Sequence, residues 1–217
     1  MNLDIQNLLD SINSSFTRMK YIRSEDVPSI DLYMDQVTTF LDEELKHSSR
    51  VINDEKLITK TMINNYAKNE VIPPPVKKKY TKEHMLVLIM MYYFKSFLQI
   101  NDIKELFDPL NERYFGKDNN FGIEEVYNSI FKEVGDQIDD VHNDVMKKFN
   151  DSLSDFDDAP EEERDYLQLY SFVCKLGCDV FIKKLMIEKI VDSLKEYREE
   201  EEAKNKDSKR GKDNADK

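Results

Sequence analysis

Apolar residues recur at spacings of three and four along most of the chain, which is the pattern of amphipathic helices. The pattern predicts helices over about residues 3–21, 32–46, 55–69 and 81–97, a short helix ending near residue 110, and further helices over 121–149 and 165–198. The helix over 121–149 can be read as one element or as two that break at Gly135. Since no run alternates cleanly between apolar and polar residues, we predict no strand and an all-α fold.

The most apolar run, Met85–Phe94, is too short to cross a bilayer and ends at Lys95, so it predicts a helix buried on nearly every side. No charged and then apolar signal segment opens the chain, and two cysteines are too few for a disulfide scaffold of this length. We therefore expect a cytoplasmic protein without a membrane partner.

Breaks in the pattern divide the chain into four predicted parts. Residues 1–29 are an N-terminal helix and linker, and residues 30–112 are a central helical domain. A glycine-bearing loop, NERYFGKDNNFG, precedes a C-terminal helical region over residues 121–198. Residues 199–217 contain almost only charged and polar residues, which predicts a disordered charged tail.

One cationic island stands out on an acidic chain. The whole sequence carries a formal net charge of -12, whereas residues 56–82 hold seven lysines and one glutamate. This island includes VIPPPVKKKY, residues 71–80, in which three prolines stiffen the chain ahead of three lysines. Thr81 is a predicted N-cap for the next helix, so the lysine charge is held at one place.

The residue types of the island suit a nucleic-acid surface. Asparagine can hydrogen-bond adenine bidentately, lysine reaches guanine or phosphate, and threonine and tyrosine hydroxyls can contact phosphate oxygens. One of the two asparagines is expected to be ordinary surface, and Tyr66 is expected to be core. The candidate DNA-binding residues are Thr59, Lys60, Thr61, Asn64, Asn65, Lys68, Lys77, Lys78, Lys79 and Tyr80.

The stretch ITKTMINNYAKNEVIPPP, followed by YTKEHMLVL and SFLQINDIKELF, resembles the DNA-binding half of MerR-type winged-helix regulators. The longer stretch from IDLYMDQVTTFL to YTKEH resembles a bacterial family known only as a domain of unknown function and regarded as MerR-like. The resemblance covers residues 30–112 and implies a winged helix-turn-helix domain with a minimal wing. Matching positions are Tyr66, Ile72, Pro73, Tyr80, Thr81 and Glu83, with Thr59 at the capping hydroxyl and Ile100, Ile103, Leu106 and Phe107 in the fourth helix.

Two departures from the MerR pattern alter what is expected locally. The glycine usual before the Ile-Pro pair is Glu70 here, so Asn69 is expected to terminate the helix instead. The basic loop has lysines and no arginine, and lysine holds phosphate as a point charge.

Other classes of function have weaker support. No glycine-rich phosphate loop, nucleophile elbow or His-Glu-x-x-His helix is present, so neither an enzyme nor a cofactor is expected. Cys174 and Cys178 could supply half of a tetrahedral metal site, completed by His142 or a partner chain, but buried structural thiols are the expected reading. His47 and His84 show no ligand spacing, and His84 is expected to be a first-turn helix residue.

The sequence thus predicts a DNA-binding transcriptional regulator whose partner is double-stranded DNA. The helix Thr59–Asn69 would enter a major groove while Lys77 to Tyr80 contact the backbone. The apolar stripe of the C-terminal helices predicts packing on each other or on a second subunit, and a homodimer would suit paired half-sites. The alternative is a protein-interaction module that keeps the winged fold and binds an acidic partner, as the net charge of -12 suggests.

Overall fold

The computed structural model describes residues 5–46, 57–117 and 121–215. Within these ranges the chain is predominantly helical, which confirms the predicted all-α class. The predicted break after Lys46 and the predicted helix start at Glu55 lie outside the described residues. In chain order the elements are α1 (Ile5–Arg18), a 3-10 turn (Ser24–Asp26), β1 (Leu32–Tyr33), α2 (Met34–Leu45), α3 (Lys60–Lys68), β2 (Lys79–Tyr80), α4 (Lys82–Phe94), α5 (Ile100–Tyr114), α6 (Ile123–Phe131), α7 (Val134–Ser152) and α8 (Glu161–Ala215).

Helix α4 is the centre of the core. Every residue from His84 to Met91 is buried, as the apolar run predicted. A helix without a solvent face must be covered from all directions. Buried residues of the neighbouring elements complete the cluster: Val37, Leu41 and Leu45 of α2, Ile63 of α3, Ile103 and Phe107 of α5, and Ile123 and Tyr127 of α6.

The prediction that the chain has no strand is wrong at one place. Strands β1 and β2 pair antiparallel, with Leu32 opposite Tyr80 and Tyr33 opposite Lys79. Strands of two residues are too short for alternation to be visible in the sequence, and their pairing is a contact between distant segments. The pair joins the start of α2 to the residues just before α4.

The core extends past both ends of the predicted central domain. Ile22 and Val27 lie before residue 30 and Tyr127 lies after residue 112, yet all three are buried in the same cluster. The Tyr127 hydroxyl donates to the Ile22 carbonyl at 2.5 Å, joining α6 to the segment ahead of α2. The glycine-bearing segment is therefore a connection within one packed unit in the described residues, and α5 continues to Tyr114 inside it.

The C-terminal helices follow the predicted period with two differences. Residues 121–149, predicted as one helix or as two that break at Gly135, form two helices. The break falls at Lys132–Glu133, and Gly135 lies in the first turn of α7. Helix α8 runs to Ala215, through most of the tail predicted to be disordered. Lysine, glutamate and alanine are strong helix formers, and Lys204 pairs with Glu200 one turn earlier at 3.6 Å.

Helix α8 is fastened to α5 where a proline interrupts the α5 hydrogen-bond ladder. Pro109 has no N–H for the carbonyl of Glu105, which is left without its usual helical donor. Arg198 of α8 lies 3.5 Å from that carbonyl and 3.3 Å from the Glu105 carboxylate, and it donates to both.

Among the residues that the structure covers, no helix combines the length and the hydropathy needed to cross a membrane.

Helix α3 ends in a Schellman motif whose left-handed residue is Glu70, not Asn69 as expected. Glu70 has φ 59°, whereas Asn69 has φ -87°. The Glu70 N–H donates to the Ala67 carbonyl at 3.2 Å, and the Val71 N–H donates to the Tyr66 carbonyl at 2.9 Å. The chain therefore takes the turn for which glycine is suited, with glutamate at that position.

We expect Glu70→Gly to raise the free energy of unfolding by about 0.5 kcal/mol, because relief of left-handed strain exceeds the added freedom of the unfolded chain. The exposed Glu70–Lys104 contact at 3.3 Å contributes little. Glu70→Ala is the control, since it keeps the strain and loses the contact, and it should be less stable than wild type. Urea unfolding of the three proteins measures the order. A Glu70→Gly protein no more stable than Glu70→Ala would contradict the assignment.

Candidate nucleic-acid interface

Helix α3 is held from both ends. Before it, the Leu57 carbonyl accepts from the ammonium of Lys95, the residue after α4, at 2.7 Å, and the Leu57 N–H donates to the Asp42 carboxylate of α2 at 3.1 Å. After it, the Val71 carbonyl accepts from the Asn111 amide at 3.0 Å. Ile63, on the inner side of α3, is fully buried. These contacts determine which side of α3 faces solvent.

The exposed side of α3 carries the polar residues singled out in the sequence. Asn64 and Asn65 lie in the middle of the helix, and a lysine lies near each end. Tyr66 packs against the core, as expected, and burial raises the pKa of its phenol. The exposed candidates are Lys60, Thr61, Asn64, Asn65 and Lys68.

Thr59 has a capping role in the structure. Its hydroxyl oxygen accepts the Met62 N–H at 3.2 Å, so it stabilises the first turn of α3. The side chain is half-buried. Its contribution to a ligand surface is therefore to orient the helix start, where unpaired N–H groups favour an anion.

The basic loop is a tight β-hairpin. The Val76 N–H donates to the Lys79 carbonyl at 3.1 Å, and the Lys79 N–H donates to the Val76 carbonyl at 2.9 Å. The two residues between them, Lys77 and Lys78, have φ values of 50° and 65°. Positive φ at both central positions is the type I′ turn, which usually holds Asn-Gly.

Lysine at these two positions opposes local stability. A non-glycine residue in the left-handed region costs roughly 1 kcal/mol, and such conformations persist where the surrounding fold determines them. Both Lys77 and Lys78 are exposed at the hairpin tip. The hairpin therefore presents two ammonium groups to solvent.

Lys79 differs from its two neighbours. It is half-buried, and its ammonium lies 5.4 Å from the centre of the Tyr33 ring in a cation–π contact. Lys60 of α3 forms an ion pair with Asp35, two residues beyond Tyr33. The first turn of α3 and the base of the hairpin therefore meet at the junction of β1 and α2.

The prediction that Tyr80 contacts phosphate is wrong. Only 2% of Tyr80 is exposed, and its ring packs edge-on against His84 at 5.4 Å between centroids. Burial raises the pKa of the phenol. In a strand, successive side chains point to opposite sides, so Tyr80 faces the core while Lys79 faces outward. Nine of the ten candidate residues are therefore exposed or half-buried in this region, and Tyr80 alone is buried.

Asp35 belongs to this surface and was not among the predicted residues. Its carboxylate contacts Lys60 and is well exposed, so it reduces the positive potential at one end of α3. Its position in the first turn of α2 indicated only a helix start, and its proximity to α3 follows from packing between helices.

The cysteine prediction is also wrong. Cys174 and Cys178 are both exposed, because the opposite side of α8 is the one that packs on α7. His142, the residue considered as a further ligand, lies 2.8 Å from the Asn13 side chain of α1. Over the described part of the chain, no group of three or more His, Cys, Asp or Glu side chains could hold a metal ion.

The base of the hairpin rests on His84. The Thr81 N–H donates to His84 Nδ1 at 3.0 Å, so the proton of the neutral ring is on Nε2. The Nε2 atom faces the Pro73 and Pro74 carbonyls but makes no hydrogen bond with either of them. Burial lowers the pKa of His84, and this effect exceeds those of the two carbonyls and of Asp31, which raise it.

We expect the free energy of unfolding to fall as pH decreases below about 6.5, because the unfolded chain then binds a proton that folded His84 resists. The lowered pKa gives this sign: the stabilisation is complete above the unfolded pKa and is lost below it. In His84→Gln, glutamine can still accept the Thr81 N–H, so the loss between pH 7 and pH 5 should be smaller. Urea unfolding at each pH measures both proteins, and equal losses would contradict the expectation.

Comparisons with known proteins give one match. The model of a family described as "Domain of unknown function (DUF1836)" matches residues 22–130, which is half of the chain. The match begins at Ile22 and ends just after Tyr127, so it spans the packed unit that these residues join. No curated protein and no solved structure matches significantly.

Proposed function

We propose that this chain, a member of the DUF1836 family, binds double-stranded DNA through α3 and the hairpin that follows it. The observation that carries the proposal is the strained hairpin tip, where Lys77 and Lys78 are held at positive φ and exposed beside the polar side of α3. Strained backbone conformations cluster at ligand-binding sites, and two adjacent ammonium groups suit neighbouring phosphates.

The order of elements supports a more specific form of the proposal. Helices α2 and α3, the hairpin and α4 follow each other as in a winged helix-turn-helix, with the hairpin as a minimal wing of the MerR-like kind. In such readers the second helix contacts base edges, and the flanking loop contacts the backbone. Asn64 and Asn65 would lie in the major groove, while Lys77 and Lys78 would bind phosphates. The protein would then be a transcriptional regulator.

The double substitution Lys77→Asn, Lys78→Gly tests the wing without harming the fold. It removes two positive charges and supplies the residues that a type I′ turn prefers, so unfolding should require about 1 kcal/mol more. Affinity for duplex DNA should fall at every salt concentration. The slope of log K against log salt should become less negative by about two per bound protomer, because each phosphate contact contributes about -0.9. Fluorescence anisotropy with labelled genomic fragments measures both quantities.

Lys132→Gln, Lys147→Gln is the matched control, since both lysines are exposed and belong to neither α3 nor the hairpin: Lys132 follows α6, and Lys147 lies in α7. It makes the same change in net charge and should leave the slope unchanged. Equal losses in the two variants would mean that overall charge, and not the wing, determines binding. Wild-type protein that binds no duplex at low salt would refute DNA binding and favour the protein-interaction alternative.

Asn64→Ala tests base reading. If Asn64 contacts an adenine edge, its loss should lower affinity for selected sites by about 1–3 kcal/mol and leave affinity for unrelated duplex unchanged. Selection of bound genomic fragments by the purified protein supplies the sites, and Asn65→Ala is the neighbouring control. An equal loss for all sequences would place Asn64 at the backbone instead.

A further inference from the structure

The pair of strands β1 and β2 has a buried side and a solvent side. Leu32 and Tyr80 lie opposite each other and are 5% and 2% exposed, so they face the core. Tyr33 and Lys79 form the adjacent pair and point the opposite way, because side chains alternate along a strand. Tyr33 is 54% exposed. The two strands therefore turn one tyrosine into the core and present another to solvent.

The solvent side of the strands leads to the hairpin tip. Val76 forms a bridge with Lys79, so Tyr33, Lys79 and Val76 lie side by side across the strands. Neighbouring strands are about 4.8 Å apart, so the Tyr33 backbone lies about 10 Å from that of Val76. Lys77 and Lys78 follow Val76 directly. Tyr33 is therefore close to the two exposed ammonium groups of the tip.

Tyr33 is also close to α3. Asp35 lies two residues after Tyr33 and forms an ion pair with Lys60 in the first turn of α3. One residue of β1 thus lies near both elements of the proposed DNA surface, which are α3 and the hairpin. DNA is stiff over a few base pairs, so a duplex that contacts both elements also passes close to Tyr33.

The Tyr33 side chain has one free polar group. Its backbone N–H donates to the Gln36 side chain at 2.9 Å, whereas its side chain makes no capping hydrogen bond. One face of the ring lies against the Lys79 ammonium, 5.4 Å from the ring centre. Within the ranges that the structure describes, no group forms a hydrogen bond with the Tyr33 hydroxyl. The ring is therefore supported by the protein, and the hydroxyl is left for a ligand.

The surroundings of this hydroxyl suit a phosphate. A phenol donates its proton to an acceptor, and tyrosine hydroxyls that bind phosphate oxygens fix the position of a protein on the duplex. The ammonium of Lys79 attracts a phosphate to the same place. Asp35 would repel a phosphate, but its carboxylate is paired with Lys60. A phosphate oxygen is therefore the acceptor that this position favours.

We propose that Tyr33 is a further phosphate-binding residue of the DNA surface, and that its hydroxyl donates to a phosphate oxygen beside those bound by Lys77 and Lys78. The inference rests on the proposed function, because it adds a contact to the same surface. Tyr33 takes the role that was predicted for Tyr80, since alternation along the strands turns Tyr80 into the core and Tyr33 outward.

Tyr33→Phe tests the contact, because it removes only the hydroxyl and keeps the ring against Lys79. Affinity for selected and unrelated duplexes should fall about tenfold, as expected for a hydrogen bond to a charged group. The slope of log K against log salt should stay the same, because a neutral donor releases no counterion. Fluorescence anisotropy across a range of salt concentrations measures both quantities. Tyr166→Phe is the matched control: Tyr166 is 53% exposed on α8, and this variant should bind as wild type does.

Neutral methylphosphonate groups, placed one at a time in a selected duplex, locate the contact. At one position the substitution should weaken wild type more than Tyr33→Phe, because the variant has no hydroxyl contact to lose there. Equal affinities of the two proteins, or equal losses at every position, overturn this inference and leave the proposed function standing. A less negative salt slope in Tyr33→Phe also overturns it, since the change would then act through Lys79. Wild-type protein that binds no duplex at low salt refutes both.

Discussion

The burial of α4 on every side is the constraint on which the rest of this structure depends. Because residues His84–Met91 have no solvent face, α2, α3, α5 and α6 must each cover part of the helix. Strand β2 leads directly into α4, so the base of the hairpin is fixed by the same core. The rigid base is what allows the exposed Lys77 and Lys78 to have a defined position.

The backbone between α3 and α4 concentrates unfavourable conformations. Of the described non-glycine residues with positive φ, Glu70, Lys77 and Lys78 all lie in this one connection, and only Phe156 lies elsewhere. Glu70 closes a helix, as glycine would, whereas the two lysines serve no packing purpose at the exposed tip. The packing energy of the core offsets this local cost, and a surface that projects charge is the consequence.

Particular residues show where sequence reasoning succeeded. The free side of α3 and the burial of α4 followed from helical period, which depends only on neighbours within a few positions. The prediction for Tyr80 was wrong because the environment of this residue depends on pairing with Leu32, which lies far away in the sequence. The prediction that Cys174 and Cys178 are buried was wrong because the helical period groups the residues of α8 into faces. It does not say which of those faces α7 covers. The prediction that Asn69 ends α3 in a left-handed conformation was wrong because Glu70 was not expected to accept that conformation.

By itself, the sequence determined the helical class, the approximate limits of most helices, the buried character of α4 and the location of the cationic island. These properties arise from local spacing and composition. Only the tertiary structure decided that β1 pairs with β2, that Lys60 binds Asp35 while Lys79 lies over Tyr33, and that Cys174 and Cys178 of α8 face solvent. The physical reason is that such contacts join residues distant along the chain, and their geometry is set by how the whole core packs.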